Sequence, residues 1–215
     1  MDGMWNHYPY SLDHTTLDTT TSMNVARNTF DAASGYHSFS TNPGSATAAL
    51  GASYGASDAI WFLASHAAGG DMWMYNATNG PSDLYLNGSV GSCTAGLNDC
   101  LSAHTFGQLH DIRLIVFMGC DSADSAGGSR FQLYATNTLG VDSAVGFTEH
   151  IDFSATASDK WAYYFPHYLI TGSNVNNAAV AAEQAVLNVN GSYGGYNSYY
   201  VSGSTVYVEP AGYGS

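Results

Sequence analysis

The sequence predicts one α/β domain built on a mostly parallel sheet with helices on both faces. Three observations predict it. Ala59-Ile-Trp-Phe-Leu-Ala64 and Leu114-Ile-Val-Phe-Met118 are short apolar runs, rich in β-branched and aromatic residues and too short for ordinary helices, so they read as buried strands. Both stop abruptly, one at Ser65-His66-Ala67-Ala68-Gly69-Gly70 and the other at Gly119-Cys120. Stretches with helical spacing alternate with these strands, which is the order of β-α-β crossovers.

Residues 1–20 are polar and irregular. Ser22 to Ala33 is expected to be a short helix, with Met23, Ala26, Phe30 and Ala33 at helical spacing. The segment 1–34 is read as an N-terminal extension packed on a domain spanning 35–215. Gly35 to Ser40 reads as a first strand. Asn42-Pro43-Gly44 opens a second helix reaching about Ala52, with Asn or Thr as cap and Pro in the first turn. Asp58 begins the strand that leads to His66. Met72-Trp-Met-Tyr75 and Leu84-Tyr-Leu86 flank Asn79-Gly80-Pro81-Ser82, a pattern for a β-hairpin inserted after that strand. Gly127 to Leu139 suits a helix, and Val141 to Phe147 a further strand. Ser158 to Ile170 reads as an aromatic-rich helix interrupted near Pro166. Asn174 to Val189 has the clearest helical pattern, with Ala178, Ala182, Ala185 and Val189 on one face. Asn197 to Pro210 alternates Tyr and Val with Ser and Gly around Gly203-Ser204, and reads as a C-terminal β-hairpin on a sheet edge.

Charge excludes several functions. Only 10% of the 215 residues are Asp, Glu, Lys or Arg, and the net charge is −13. The basic residues are Arg27, Arg113, Arg130 and Lys160. Nucleic acid is not an expected partner, because no basic surface exists to neutralise phosphates. A membrane is not expected either, for the same reason and because no apolar run of about 18 residues occurs. A surface of Ser, Thr, Asn, Gly and Tyr bonds by hydrogen bonds and loses little when carboxylates protonate. This points to an extracellular protein, with compositional bias of the lineage as the alternative. A secreted protein would have lost its leader ahead of Met1.

Three cysteines are present. Cys93 and Cys100 enclose a loop of turn formers, which suits a local disulfide and leaves Cys120 free; three buried thiols are the alternative. Asn76, Asn87 and Asn190 match the N-glycosylation pattern, a weak signal in a chain this rich in Asn and Ser. The eight His show no His-x-x-x-His spacing, and Cys-x-x-Cys is absent, so zinc is not expected. No cofactor is expected. Ca²⁺ held by Asp and backbone carbonyls is the exception to keep in view, though no loop matches a known pattern.

The sharpest signal is the pair of strand ends. Open α/β sheets place their chemistry where parallel strands end. His66 and Cys120 are 54 positions apart (120 − 66), one at each of two such ends, and two parallel neighbours would bring them to one sheet edge.

These blocks, Asp58-Ala-Ile-Trp-Phe-Leu-Ala-Ser-His-Ala-Ala-Gly69 and Leu114-Ile-Val-Phe-Met-Gly-Cys-Asp-Ser-Ala123, resemble the caspase-like cysteine peptidases of clan CD, and most of all the gingipain- and CHAT-type domains. The His-to-Cys spacing is close to the roughly 50 residues of caspases. Gly140 to Thr148 resembles the strand after the catalytic Cys, Trp161 to Ala185 the paired helices with a Gly between them, and Tyr199 to Val208 the closing strands; together the likeness spans about 35–210. The absence of Gln-Ala before the Cys sets the chain apart from true caspases.

The resemblance implies a three-layer caspase-like domain that hydrolyses peptide bonds in a peptide or protein substrate. Cys120 would be the nucleophile and His66 its acid–base partner. The backbone N–H groups of Ala67 and Cys120 would hold the oxyanion, Ala67 standing where the family usually has Gly. Glu149 or Asp152, in the segment after the next strand, would suit a basic P1 side chain; the alternative is that both are solvated loop charges. A second class of function is structural. A charge-poor chain with 16 Tyr would suit a self-assembling extracellular subunit, a homo-oligomer or filament, on a fold of this kind that no longer cuts.

Overall fold

The computed structural model describes residues 2–3, 7–8, 17–36, 39–40, 59–76, 80–87, 89–93, 99–104, 112–125 and 128–208. In chain order the elements are β1 (Asp2–Gly3), β2 (His7–Tyr8), β3 (Leu17–Asp18), α1 (Thr20–Asp31), β4 (Phe39–Ser40), β5 (Ile60–Ala64), β6 (Ala67–Ala68), β7 (Asp71–Asn76), β8 (Gly80–Tyr85), β9 (Asp99–Cys100), β10 (Leu114–Met118), α2 (Phe131–Tyr134), β11 (Ser143–Phe147), α3 (Ser158–Ile170), α4 (Val175–Asn190) and β12 (Tyr199–Ser202). A 3-10 turn, Leu101–Ala103, follows β9, and a π-helical turn, Ala135–Leu139, extends α2.

The main sheet runs β12-β11-β10-β5-β1-β4. It is parallel except for β12, which closes one edge antiparallel to β11. Residues 1–20, expected to be irregular, supply β1 within this sheet and the small antiparallel β2–β3 pair, whose β2 lies against β7. The helix expected after Asn42 lies outside the described residues.

Alternation along the central strands sorts their side chains into two cores. Ile60, Phe62 and Ala64 of β5 and Leu114, Val116 and Met118 of β10 face α1, α3 and α4. Trp61 and Leu63, with Ile115 and Phe117, face the other way, toward Phe131 and Leu139 from the α2 region and Met72, Leu84 and Leu86 from the inserted hairpin. The result is the predicted α/β layering, with one layer shared between a helix and a second sheet, β6-β7-β8-β9. The disulfide Cys93–Cys100 forms, at the base of β9.

Several boundaries differ from expectation for local reasons. The helix expected from Gly127 begins at Phe131, whose ring stacks on Phe117 of β10 at 4.8 Å. Helix α3 passes through Pro166 without a break. Pro166 forfeits one hydrogen bond to the preceding turn, but Trp161, Ala162, Phe165 and Leu169 bury along one face and hold the helix to the sheet. On α4 the buried face is Val175, Ala178, Ala179, Ala182 and Val186, while Val189, expected inside, is 47% exposed. Asn174 caps α4 by accepting from Asn177 N at 2.8 Å. The expected terminal hairpin takes an unusual form. The chain turns after β12, but the returning stretch pairs with the start of α4 instead, through a Tyr207–Asn174 bridge and Val175 N donating to Val206 O at 2.9 Å.

Candidate active site

Strands β5 and β10 pair in parallel with no stagger, from Ile60↔Leu114 to Ala64↔Met118. The offset along this ladder is 54 residues (114 − 60 and 118 − 64), the same as between His66 and Cys120. Each candidate therefore stands two residues beyond the last paired position of its strand. The two chains remain in contact past the ladder. Ser65 N donates to Met118 O at 3.1 Å. A Cβ added at Gly119 would lie 2.6 Å from Ala67 Cβ and 2.8 Å from Ser65 O. Only glycine lets the backbone before Cys120 press against the residues on both sides of His66.

Cys120 is half-buried against the α1/α3/α4 core and is the free thiol among the described cysteines. Its Sγ donates to Ile151 O at 3.7 Å and accepts from Ile151 N at 3.4 Å. Burial pushes the thiol pKa above its ordinary value; the Ile151 amide opposes this and the Asp121 carboxylate adds to it. Asp121 has a left-handed backbone, φ 52°, in the tight turn after Cys120. That turn is sewn to the segment after β11. Asp121 N donates to Glu149 O at 3.2 Å, His150 Nε2 lies 3.1 Å from Asp121 Oδ2, and Ala123 N donates to Phe147 O at 2.7 Å. Ser122 completes the seam, with its hydroxyl donating to Phe117 O at 2.7 Å and accepting from Phe147 N at 3.0 Å.

His66 is held from the opposite side, by the inserted hairpin. Its ring meets that of Trp73 at a centroid distance of 5.6 Å and a tilt of 48°. Trp73 N donates to His66 O at 3.0 Å, and Ser65 Oγ donates to Trp73 O. His66 and Trp73 thus form a hydrogen-bonded pair one step before Ala67↔Met72. In an antiparallel ladder the next pair is not hydrogen-bonded across, so the Ala67 N–H turns away from β7, on the side where Gly119 approaches. Trp73 Nε1 donates to Asp71 Oδ2 at 2.8 Å. Burial, with Asp83 as second cause, pushes the Asp71 carboxyl up to about 7; burial likewise raises Asp83, which accepts from Tyr85 Oη at 2.9 Å.

No family model and no curated protein sequence matches the chain. Among solved structures, the Arg-specific cysteine proteinase gingipain R superposes with a TM-score of 0.65 at 8% identity, over 97% of this chain and 48% of that one. The fold is caspase-like. The chain spans about half the length of that proteinase, and at this identity the likeness is one of fold.

Within this caspase-like domain Glu149 and Asp152 lie on the segment that carries Ile151, and both are exposed. Asp152 Oδ2 accepts from Ser154 Oγ at 2.9 Å. Among the described residues, no group of three or more His, Cys, Asp or Glu converges as a metal site would require, and no helix is long and apolar enough to cross a membrane. Two contributors escaped the sequence. Ile151 acts through its backbone, which any residue but proline supplies, so no residue pattern could flag it. Trp73 read as one apolar position of a hairpin; the signal that it faces His66 was the short turn between strand end and hairpin, which folds β7 back on the residues it follows.

Proposed function

We propose that the chain is a cysteine endopeptidase in which Cys120 attacks the scissile carbonyl and His66 protonates the leaving amine. The observation that carries this is the unstaggered β5–β10 ladder, whose 54-residue offset equals that between His66 and Cys120, each two residues past its last pair. Support also comes from the caspase-like fold shared with a cysteine proteinase. In the reaction, the Cys120 sulfur bonds to the carbonyl carbon as the thiol proton passes to His66. The oxyanion receives hydrogen bonds from the N–H groups of Ala67 and Cys120, and collapse expels the amine with the proton from His66. Water then releases the acid and restores the thiol. Exposed Glu149 and Asp152, beside the segment that contacts Cys120, would favour Arg or Lys at P1. The disulfide suits an extracellular setting.

One observation favours a second reading, a caspase-like domain that does not cut; such a charge-poor, Tyr-rich chain would suit a self-assembling subunit. The Cys120 thiol is bonded to the Ile151 backbone, and burial raises its pKa. Alkylation of Cys120 followed by mass spectrometry across pH, in the wild type and in His66→Ala, separates the two. Fast alkylation below pH 7 that collapses in the variant supports the peptidase. Slow alkylation, equal in both proteins, overturns it.

A further inference from the structure

We propose that Trp73, anchored by Asp71, is a positioning residue that sets the orientation of the His66 imidazole. The inference rests on the reading of His66 as the partner of Cys120. It stands on four contacts that converge on one residue, two through the Trp73 indole and two through its backbone. The ring faces the imidazole at 5.6 Å, and the backbone N–H of the same residue donates to His66 O at 3.0 Å. The backbone carbonyl of Trp73 accepts from the hydroxyl of Ser65, the residue before His66. The indole Nε1 donates to Asp71 Oδ2 at 2.8 Å. The first three fix the imidazole and its backbone against the hairpin, and the fourth fixes the indole.

The arrangement has a chemical consequence. A histidine that cycles between imidazole and imidazolium needs a surround that holds its ring in place in both forms and does not penalise the charge. An indole within 6 Å stabilises a cation through its π system. The Asp71 carboxylate polarises the indole N–H and leaves the ring richer in electron density. Among the described side chains, the titratable groups facing this cluster are Asp71 from the indole's own strand, Asp83 and its partner Tyr85 from β8, and His66 across the ring. Because the Asp71 carboxyl is pushed up to about 7, its charge and the grip on the indole both strengthen as pH rises through neutrality.

The hairpin that carries these residues leaves the main sheet directly after His66 and returns Trp73 to it within seven positions (73 − 66). The insert thus covers the second core and also supplies the side wall of the histidine.

The test uses the full chain with isotope-labelled histidine, following the His66 imidazole by NMR across pH alongside Cys120 alkylation, in the wild type, Trp73→Leu, Trp73→Phe and His66→Ala. In Trp73→Leu the His66 midpoint is expected to fall by about half a pH unit, as the imidazolium loses its aromatic partner. The His66-dependent part of the alkylation rate is expected to drop roughly tenfold or more. Trp73→Phe keeps a ring but not the link to Asp71, and should restore the midpoint while leaving the rate below wild type. It also covers the case in which the leucine variant does not fold. An unchanged His66 midpoint in Trp73→Leu or, if that variant does not fold, a wild-type alkylation rate in Trp73→Phe, together with slower alkylation in His66→Ala, overturns the inference and leaves the peptidase reading standing. A shifted midpoint with no effect of His66→Ala on alkylation does the reverse: Trp73 positions His66, and the peptidase reading fails.

Discussion

The ends of β5 and β10 lie side by side yet are built from different materials. The His66 backbone is tied to the Trp73 N–H, but its imidazole meets a side chain, the Trp73 indole, which is itself anchored by the Asp71 carboxylate. Cys120 is held by backbone, the N–H and C=O of Ile151, on a turn sewn to β11 by Ser122. The contrast teaches where each end is vulnerable. The histidine end can be altered by substituting the groups that touch it. The cysteine end can be altered only by moving the chain or by changing the charge around the thiol.

Gly119 is the point where the two ends press together, and its substitution should have the largest effect. Gly119→Val places carbon where Ala67 Cβ and Ser65 O already stand. Overpacking of this kind costs on the order of 1–3 kcal/mol. Urea unfolding should record that loss, with a weaker His66-dependent alkylation of Cys120. Wild-type values for both would show that the ends do not depend on their contact.

Ser122→Ala tests the seam of the cysteine end. It leaves the buried Phe147 N–H and Phe117 carbonyl without the hydroxyl, at a cost of about 1–3 kcal/mol. The His66 NMR midpoint should not move, since nothing at the histidine end is touched.

Asp71→Asn addresses the histidine end through pH. The Asp71 pKa rises on folding from 3.8 to about 7, so the folded chain holds this proton more tightly than the unfolded one. The corresponding stability is complete below about pH 3.8 and is lost as pH rises through about 7. The asparagine has no such proton. The melting temperature of the variant should therefore gain on wild type between pH 5 and pH 8, and parallel melting curves would refute the assignment.

Asp121→Asn removes a carboxylate that raises the Cys120 pKa, so the alkylation midpoint should move down, with burial, the larger cause, still holding it above the ordinary value. The least effect on either end should come from Cys93→Ser. Opening this short loop costs roughly 2 kcal/mol of stability, but Cys120 alkylation should follow the wild-type pH curve.

Much of the fold was legible in the sequence. β5 and β10 announced themselves because a strand buried on both faces reads as an unbroken apolar run. The hairpin did so through its two apolar flanks, although Gly80, Pro81 and Ser82, read as part of its turn, pair with β7 as the start of β8, and the disulfide through a short loop between two cysteines. Less legible was whatever depends on partners far along the chain. Pro166 signals a helix break, and only packing against the sheet overrides it. Val189 fits the apolar face of α4 by spacing, yet α4 meets the domain along Val175, Ala178, Ala179, Ala182 and Val186. Asp2–Gly3 shows no strand pattern, because two residues cannot express a period.

By itself the sequence determined which strands are central, that one ends in His and the other in Cys, and that the pair is 54 residues apart, since residue type and local spacing are written in the chain. Tertiary structure alone decided that β5 and β10 pair without stagger, which brings the two strand ends to one edge of the sheet. It also decided that Trp73 faces His66 and that Ile151 holds Cys120. Those contacts are made by a ring whose direction the hairpin sets and by backbone groups that every residue but proline carries, and neither leaves a mark in the order of amino acids.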